Sequence, residues 1–245
     1  MSSIFYTSIA KYYQHIFPFN PVQIEFLRQV FPYNGARVLD VGCATGDLPF
    51  ALSHFGFPTW AFDFDNQMIE IAQNAKQEDA MFPVFEQLDM RLIDQRYPES
   101  YFDTLICFGN TLVHLLSDDD IRQFTQAAFK VLASEGILTM QILNYQHIFD
   151  DQIKSLPLID NEHIRFDRKY EFKVGSDLID FKTKLTVKLS GQEIENSVKL
   201  YGMRKARLQE ILEEAGFTSI EFYGSFNRET LTESSIPLII SCQKK

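Results

Sequence analysis

The stretch Arg37-Val38-Leu39-Asp40-Val41-Gly42-Cys43-Ala44-Thr45-Gly46-Asp47-Leu48 decides how this chain is read. Val38, Leu39 and Val41 form a short apolar run after the Asn34-Gly35 turn, the pattern of a strand buried on both faces of a parallel sheet. Gly42 and Gly46 then allow the backbone to turn sharply and to approach a ligand with no Cβ in the way. Asp47 through Phe55 reads as a helix whose free N-terminal amides face that ligand. A second apolar run, Thr59-Trp60-Ala61-Phe62, ends in Asp63, 17 residues after Gly46 and near the distance at which a ribose-binding acid follows such a loop. The spacing Gly42-x-x-x-Gly46 is not the Gly-x-Gly-x-x-Gly of dinucleotide sites, so a mononucleoside fits better than NAD. Taken alone, a strand-glycine-helix junction occurs in many doubly wound proteins, and Asp63 could be a helix cap.

These residues resemble the first two motifs of the class I S-adenosylmethionine-dependent methyltransferases. In that family the acidic strand end continues as Asp-x-Ser-x-x-Met, and here the chain reads Asp63-Phe64-Asp65-Asn66-Gln67-Met68, with Asp65 in place of serine. Aspartate also caps a helix N-terminus well, so the exchange is mild. The resemblance implies S-adenosylmethionine as cofactor, with Asp63 on the ribose hydroxyls, Phe64 against the adenine and Met68 completing the motif. It assigns Asp40 and the loop Gly42, Cys43, Ala44 and Gly46 to the methionine portion. Further on, Phe82 to Met90 reads as a third strand followed by an acid. Asp89 is then the candidate for the adenine amino group, with Met90 at the ring edge; the plainer alternative is again a helix cap.

Composition is consistent with a soluble cytoplasmic enzyme. The 245 residues suffice for one large domain with an insertion, and 45% hydrophobic content can fill a substantial core. Runs such as Leu105 to Phe108 and Ile236 to Ile240 are far too short to span a bilayer, and no basic region precedes a continuous apolar segment at the N-terminus. Cys43, Cys107 and Cys242 read as reduced core residues, and the five histidines show no zinc-like spacing, so no structural metal is expected. A formal charge of −10 argues against a nucleic-acid substrate, because neutralising phosphates supplies much of the affinity in such complexes. The basic clusters Arg165 to Lys173 and Arg204 to Arg207 read as solvated faces. A small-molecule acceptor, with no membrane partner, is the expectation.

The fold expected is α/β: a Rossmann-like class I methyltransferase fold, seven-stranded and mostly parallel with helices on both faces. Phe102 to Phe108 reads as the fourth strand, Asp118 to Leu132 as a helix capped by Ser117, and Gly136 to Leu143 as the fifth strand. Arg204 to Ala215 reads as a helix stopped by Gly216, with Phe217 to Tyr223 and Ile236 to Cys242 as closing strands. Between Gln146 and Gly202 the pattern changes to alternation: Ile179, Phe181, Thr183, Leu185, Val187 and Leu189 share one face of a half-buried antiparallel strand. Its partners are Phe166 to Val174 and Ile194 to Leu200, an inserted small antiparallel sheet. The expected organisation is therefore 1–32 an N-terminal helical lid, 33–145 and 203–245 the cofactor domain, and 146–202 the inserted sheet. A substrate cap and a dimer-forming element, giving a homodimer, are both open for that sheet. The N-terminal segment holds Phe5, Tyr6, Tyr12, Tyr13, Phe17 and Phe19; family resemblance makes it a lid with Tyr12 or Tyr13 reaching the cofactor, while ordinary packing is the alternative.

A narrower resemblance lies at Cys107-Phe108-Gly109-Asn110-Thr111-Leu112-Val113-His114-Leu115 and at Gln141-Ile142-Leu143-Asn144-Tyr145, together with Tyr201 and Gly224-Ser225-Phe226. These are similar to glycine N-methyltransferases and related bacterial small-molecule methyltransferases. Glycine-methylating members carry an arginine just before the Asn-Tyr pair to hold the substrate carboxylate, and this chain has Leu143 there, which argues against glycine. Phe108 falls at the cofactor and Asn110 where acceptor and cofactor meet, its amide free to bond either. His114 either orients the substrate and accepts a proton or packs beneath the loop, the second reading being slightly preferred; Tyr201 is the other candidate base. The activity expected is in-line methyl transfer to a small molecule, nitrogen slightly ahead of oxygen. The alternatives are a non-catalytic S-adenosylmethionine-binding regulatory module and a nucleic-acid methyltransferase, the latter lacking its Asn/Asp-Pro-Pro-aromatic motif here.

Overall fold

In a computed structural model, which describes residues 3–76, 80–173 and 175–245, the glycine turn sits at the middle of a seven-stranded sheet. The strands are β1 (Val38–Val41), β2 (Thr59–Asp63), β3 (Val84–Gln87), β4 (Phe102–Cys107), β5 (Leu132–Leu143), β10 (Phe217–Tyr223) and β11 (Pro237–Lys244). Their order is β10-β11-β5-β4-β1-β2-β3, and β11 alone runs antiparallel to its neighbours β5 and β10. Strand order reverses between β1 and β4, so the crevice where such sheets bind ligands opens beyond Val41 and Cys107.

Helices cover both faces, and β1 shows why. Leu39 and Val41 join one core with α6 (Ile93–Arg96), α7 (Asp118–Val131) and α9 (Lys205–Glu214), while Val38 joins another with α3 (Val22–Val30) and α4 (Asp47–His54). A strand with both faces covered must be apolar throughout, and β1 is buried at all four positions. Asp40 is the exception, and it falls at the crevice end. Helix starts follow side-chain chemistry: Asp65 accepts from Gln67 N and Met68 N to cap α5 (Asn66–Ala75), and Ser117 accepts from Asp120 N to cap α7, as expected.

The insertion forms a four-stranded antiparallel sheet in the order β6 (Ile159–Asp160), β7 (Ile164–Phe172), β8 (Leu178–Val187) and β9 (Gln192–Tyr201). It carries one short strand more than the alternation indicates, and the expected strand end at Val174 lies outside the described residues. Leu189 also leaves the apolar row, because it sits past the end of β8 at 99% exposure. The inner residues Ile164, Phe166, Tyr170, Ile179, Leu185 and Leu200 join the main core. The outer face is a ladder of ion pairs such as Lys182–Glu171, Lys184–Glu193 and Lys199–Asp180. Between this sheet and the crevice run α1 (Ser3–Ile9), a 3-10 turn (Ala10–Tyr12) and α2 (Tyr13–Ile16), followed later in the chain by α8 (Tyr145–Asp150) at the end of β5. The fifth strand starts at Leu132 rather than Gly136, since Leu132 already pairs with Phe102 before a register shift.

Candidate active site

Two hollows flank the glycine turn. The first, about 600 Å³ including its mouth, is lined by residues of the glycine turn, the end of β2 and the segment after β3, with Tyr6, Thr111 and His114 on its far side. The second is lined by Asp40, Gly42, Cys43, Ala44, Asp47, Phe108 and neighbours including Phe17 and Phe19. Tyr13, Gly42, Ala44 and Gly109 border both, so the tyrosine ring stands between the two hollows.

Of the residues singled out from sequence, Tyr13, Asp40, Gly42, Cys43, Ala44, Asp63, Phe64, Met90, Phe108 and His114 therefore come together here. Five do not reach either hollow. Gly46 adopts φ +89, but a Cβ there would meet the Phe85 ring at 2.8 Å, and one at Gly42 would meet Thr111 Cγ2 at 2.4 Å. Both glycines are thus required by left-handed backbone and by side chains packed against the turn, rather than by ligand approach alone. Met68 is buried behind the wall at 1% exposure. Asp89 is a helix cap: it accepts from Arg91 N, and Arg91 Nε and Nη2 occupy its two oxygens at 3.1 and 2.6 Å. Burial raises the pKa of that carboxyl, but the Arg91 bonds prevail and hold it below the usual range. Asn110, in a left-handed conformation at φ 65, spends its amide on the frame, donating to Tyr145 OH at 2.9 Å and accepting from Leu143 N at 3.0 Å. Tyr201 donates to Asp118 at 2.7 Å at the start of α7, and burial followed by that bond raises its pKa to about 12.

The electrostatics of the floor are unusual. Asp63 Oδ2 accepts from Ala44 N at 3.0 Å and Oδ1 from Asp65 N at 2.9 Å, so each oxygen keeps lone pairs free toward the hollow. Burial nevertheless pushes its pKa up to about 6. Asp40 is 3% exposed, and burial, then the nearby Asp63 charge, raises it to about 8. No hydrogen-bond donor or cation among the described residues offsets either burial cost at Asp40. A buried and a half-buried acid with no cation beside them are costly on their own, and they favour a ligand bringing positive charge and hydroxyl donors. That donor set fits the ammonium and ribose of a nucleoside-linked amino acid.

The roof is made by side chains the sequence reading placed less well. Tyr6 OH lies 2.7 Å from His114 Nε2, and burial lowers the His114 pKa to about 4. Tyr12 points instead to Gln192 on the inserted sheet at 3.4 Å. Tyr6 and Tyr13 are seven residues apart, two helical turns on one face, and that spacing was the signal that could have paired them. Among the described residues, no cluster of three or more potential metal ligands occurs and no helix is long and apolar enough to cross a membrane.

The chain is similar to known proteins in sequence and in fold. Residues 38–136 match the family described as a methyltransferase domain. The glycine/sarcosine N-methyltransferase of Aphanothece halophytica is 27% identical over 222 residues, covering 90% of this chain and 80% of its own. Among solved structures, an S-adenosylmethionine-dependent methyltransferase from Clostridium acetobutylicum superposes with TM-score 0.81 at 15% identity over 98% of both chains. An S-adenosylmethionine-bound amino pentose methyltransferase from Micromonospora echinaspora gives 0.69 at 16% identity, covering 96% of this chain and 95% of that one.

Proposed function

We propose that this chain, a class I S-adenosylmethionine-dependent methyltransferase, methylates a nitrogen of a small-molecule acceptor that enters the site as a neutral amine. The observation that carries this reading is the state of His114. Burial holds its pKa near 4, and Tyr6 occupies its Nε2, so it is a poor proton acceptor at neutral pH. A hydroxyl acceptor needs a base to become nucleophilic, whereas an amine needs only to shed its proton before or during entry. The names of a similar glycine/sarcosine N-methyltransferase and an amino pentose methyltransferase support the same acceptor class.

The floor residues would hold the cofactor. Asp63 would accept from the ribose hydroxyls through its free lone pairs, and Asp40 would face the ammonium group from the other hollow. The backbone of Gly42, Cys43 and Ala44 would bound the methionine portion beside Phe108, with Phe64, Leu88 and Met90 against the base. When bound, S-adenosylmethionine supplies a methyl group already activated on a sulfonium. The protein has then to orient the acceptor, neutralise charge and exclude water. The segment from α1 to α2 acts as the lid, narrower than the expected 1–32 because α3 packs in the core with Val38 and α4; 33–145 with 203–245 act as the cofactor domain, and 146–202 as a cap backing the lid of its own chain. The outer charge ladder of that cap gives little apolar surface for a dimer. With Leu143 preceding Asn144-Tyr145, glycine lacks its carboxylate partner and is not the acceptor.

The test is a screen of small amines, phenols and glycine with detection of S-adenosylhomocysteine. Turnover confined to amines, with none on glycine, is expected; turnover on phenols or alcohols alone would overturn the nitrogen reading.

A further inference from the structure

The residue that departs from the family motif, Asp65, does two things at once. Its Oδ1 caps α5, accepting from Gln67 N at 2.9 Å and Met68 N at 3.2 Å. Its Oδ2 accepts a second bond, from Thr7 Oγ1 at 2.6 Å, and the carboxyl is buried at 2% exposure. Thr7 is the chain neighbour of Tyr6, whose hydroxyl meets His114 on the opposite side of the first hollow. The next residue, Ser8, accepts from Asn196 Nδ2 of β9 at 2.8 Å.

These bonds matter because α1 is only seven residues long. A helix of that length does not hold itself in water, so its tertiary contacts fix where it sits. Phe5 anchors it to the inserted sheet side, 6.1 Å from the Phe181 ring. On the crevice side its ties are polar: Tyr6 to His114 and Thr7 to Asp65, with Gln14 Nε2 to Asp47 Oδ1 at 2.8 Å just beyond. Each of those three partners also lines a hollow. The roof is thus joined to the cap by the Phe5 packing and the Asn196–Ser8 bond, and to the floor by polar bonds that can open.

We propose that Asp65 is a positioning residue: through Thr7 it holds α1 closed, so that Tyr6 and Tyr13 stay over the bound cofactor. A serine, with one oxygen, can cap α5 or reach for Thr7, but the carboxylate does both. This inference rests on the cofactor site assigned above and is independent of the acceptor. Release of the cofactor product requires the two tyrosines to move, and the part-buried bond from exposed Thr7 to buried Asp65 is among those broken on opening. A hydrogen bond to a charged acceptor makes about a tenfold difference to such an equilibrium.

The experiment measures the dissociation rate of S-adenosylhomocysteine from the full chain by stopped-flow fluorescence, for Thr7→Val, Thr7→Ser, Asp65→Ser and Thr7→Val/Asp65→Ser. We expect about tenfold faster release for Thr7→Val and Asp65→Ser, no further increase in the double variant, and near wild-type release for Thr7→Ser. Unchanged release in Thr7→Val overturns the proposal, and so does a double variant whose effect is the product of the two singles. Thr7→Ser as fast as Thr7→Val would assign the effect to the lost methyl group and likewise overturn it. Failure of the wild type to bind S-adenosylhomocysteine at all would instead refute the cofactor site, which separates the two failures.

Discussion

The floor and the roof of the crevice are built on different principles. The floor is backbone: β1 is buried at every position, its turn is locked by two left-handed glycines, and its ligand-facing groups are two acids fixed at strand ends. The roof is side chain: a seven-residue helix, a 3-10 turn and a four-residue helix held to the floor through hydroxyl, amide and imidazole groups. Covering both faces of a strand fixes it to the fold's core stability, whereas a short helix held by a few polar bonds opens locally at much lower cost. A methyltransferase needs both, since the cofactor must be gripped in one geometry yet exchanged every turnover.

Variants can break that contrast, the floor first. Gly46→Ala places a methyl group 2.8 Å from the Phe85 ring at φ +89. It should cost about 2–4 kcal/mol and lower Tm by about 5–10 °C in calorimetry. A Tm within a degree of wild type would show that the turn is not packed as described. Asp63→Ala should weaken S-adenosylmethionine binding by about 10- to 100-fold through loss of the ribose bonds, read by calorimetric titration.

The acids also give the free protein a distinctive pH response. Asp63 and Asp40 titrate near 6 and 8 in the folded state, above their ordinary range, so folding favours their protonated forms. The stabilisation is full below about pH 4, where both states are protonated, and is lost as pH rises through 6 and then 8. Ligand-free protein should lose a few kcal/mol between pH 5 and pH 8.5 in urea unfolding, and bound cofactor should reverse much of that loss. A ligand-free curve flat across this range would mean that the two carboxyls do not carry the burial cost described. The smallest effect belongs to the roof's most exposed tie. Gln14→Ala, at the Asp47 contact, should change cofactor affinity by about twofold or less, because exposed polar bonds contribute little.

The same contrast explains what could be read from sequence. The floor was legible because a buried strand, a left-handed turn and a capped helix are each local patterns, so the fold class and the crevice residues Asp40, Asp63 and Phe64 follow from short windows. The inserted sheet was legible from its alternation. Asp89 stayed ambiguous between ligand acceptor and helix cap because a strand-end acid looks the same whether it faces a ligand or an arginine, and only the fold shows Arg91, also bonded to Asp120, pairing with it. The partners of Asn110 were illegible for a related reason: its amide bonds Leu143 N and Tyr145 OH, groups 33 and 35 residues away that only the fold brings near. The roof was least legible, since a tyrosine on a short amphipathic segment carries no sign of which partner it meets.

The measurement that bears most directly on the account is calorimetric titration of S-adenosylmethionine at pH 7 in two buffers of different ionisation enthalpy. Micromolar binding with net proton release is predicted, because the ammonium drives Asp40, largely protonated at this pH, to its ionised form. Binding with no proton release, or no binding by folded protein, would contradict the claim that a buried Asp40 with no paired cation, beside Asp63, forms the cofactor floor.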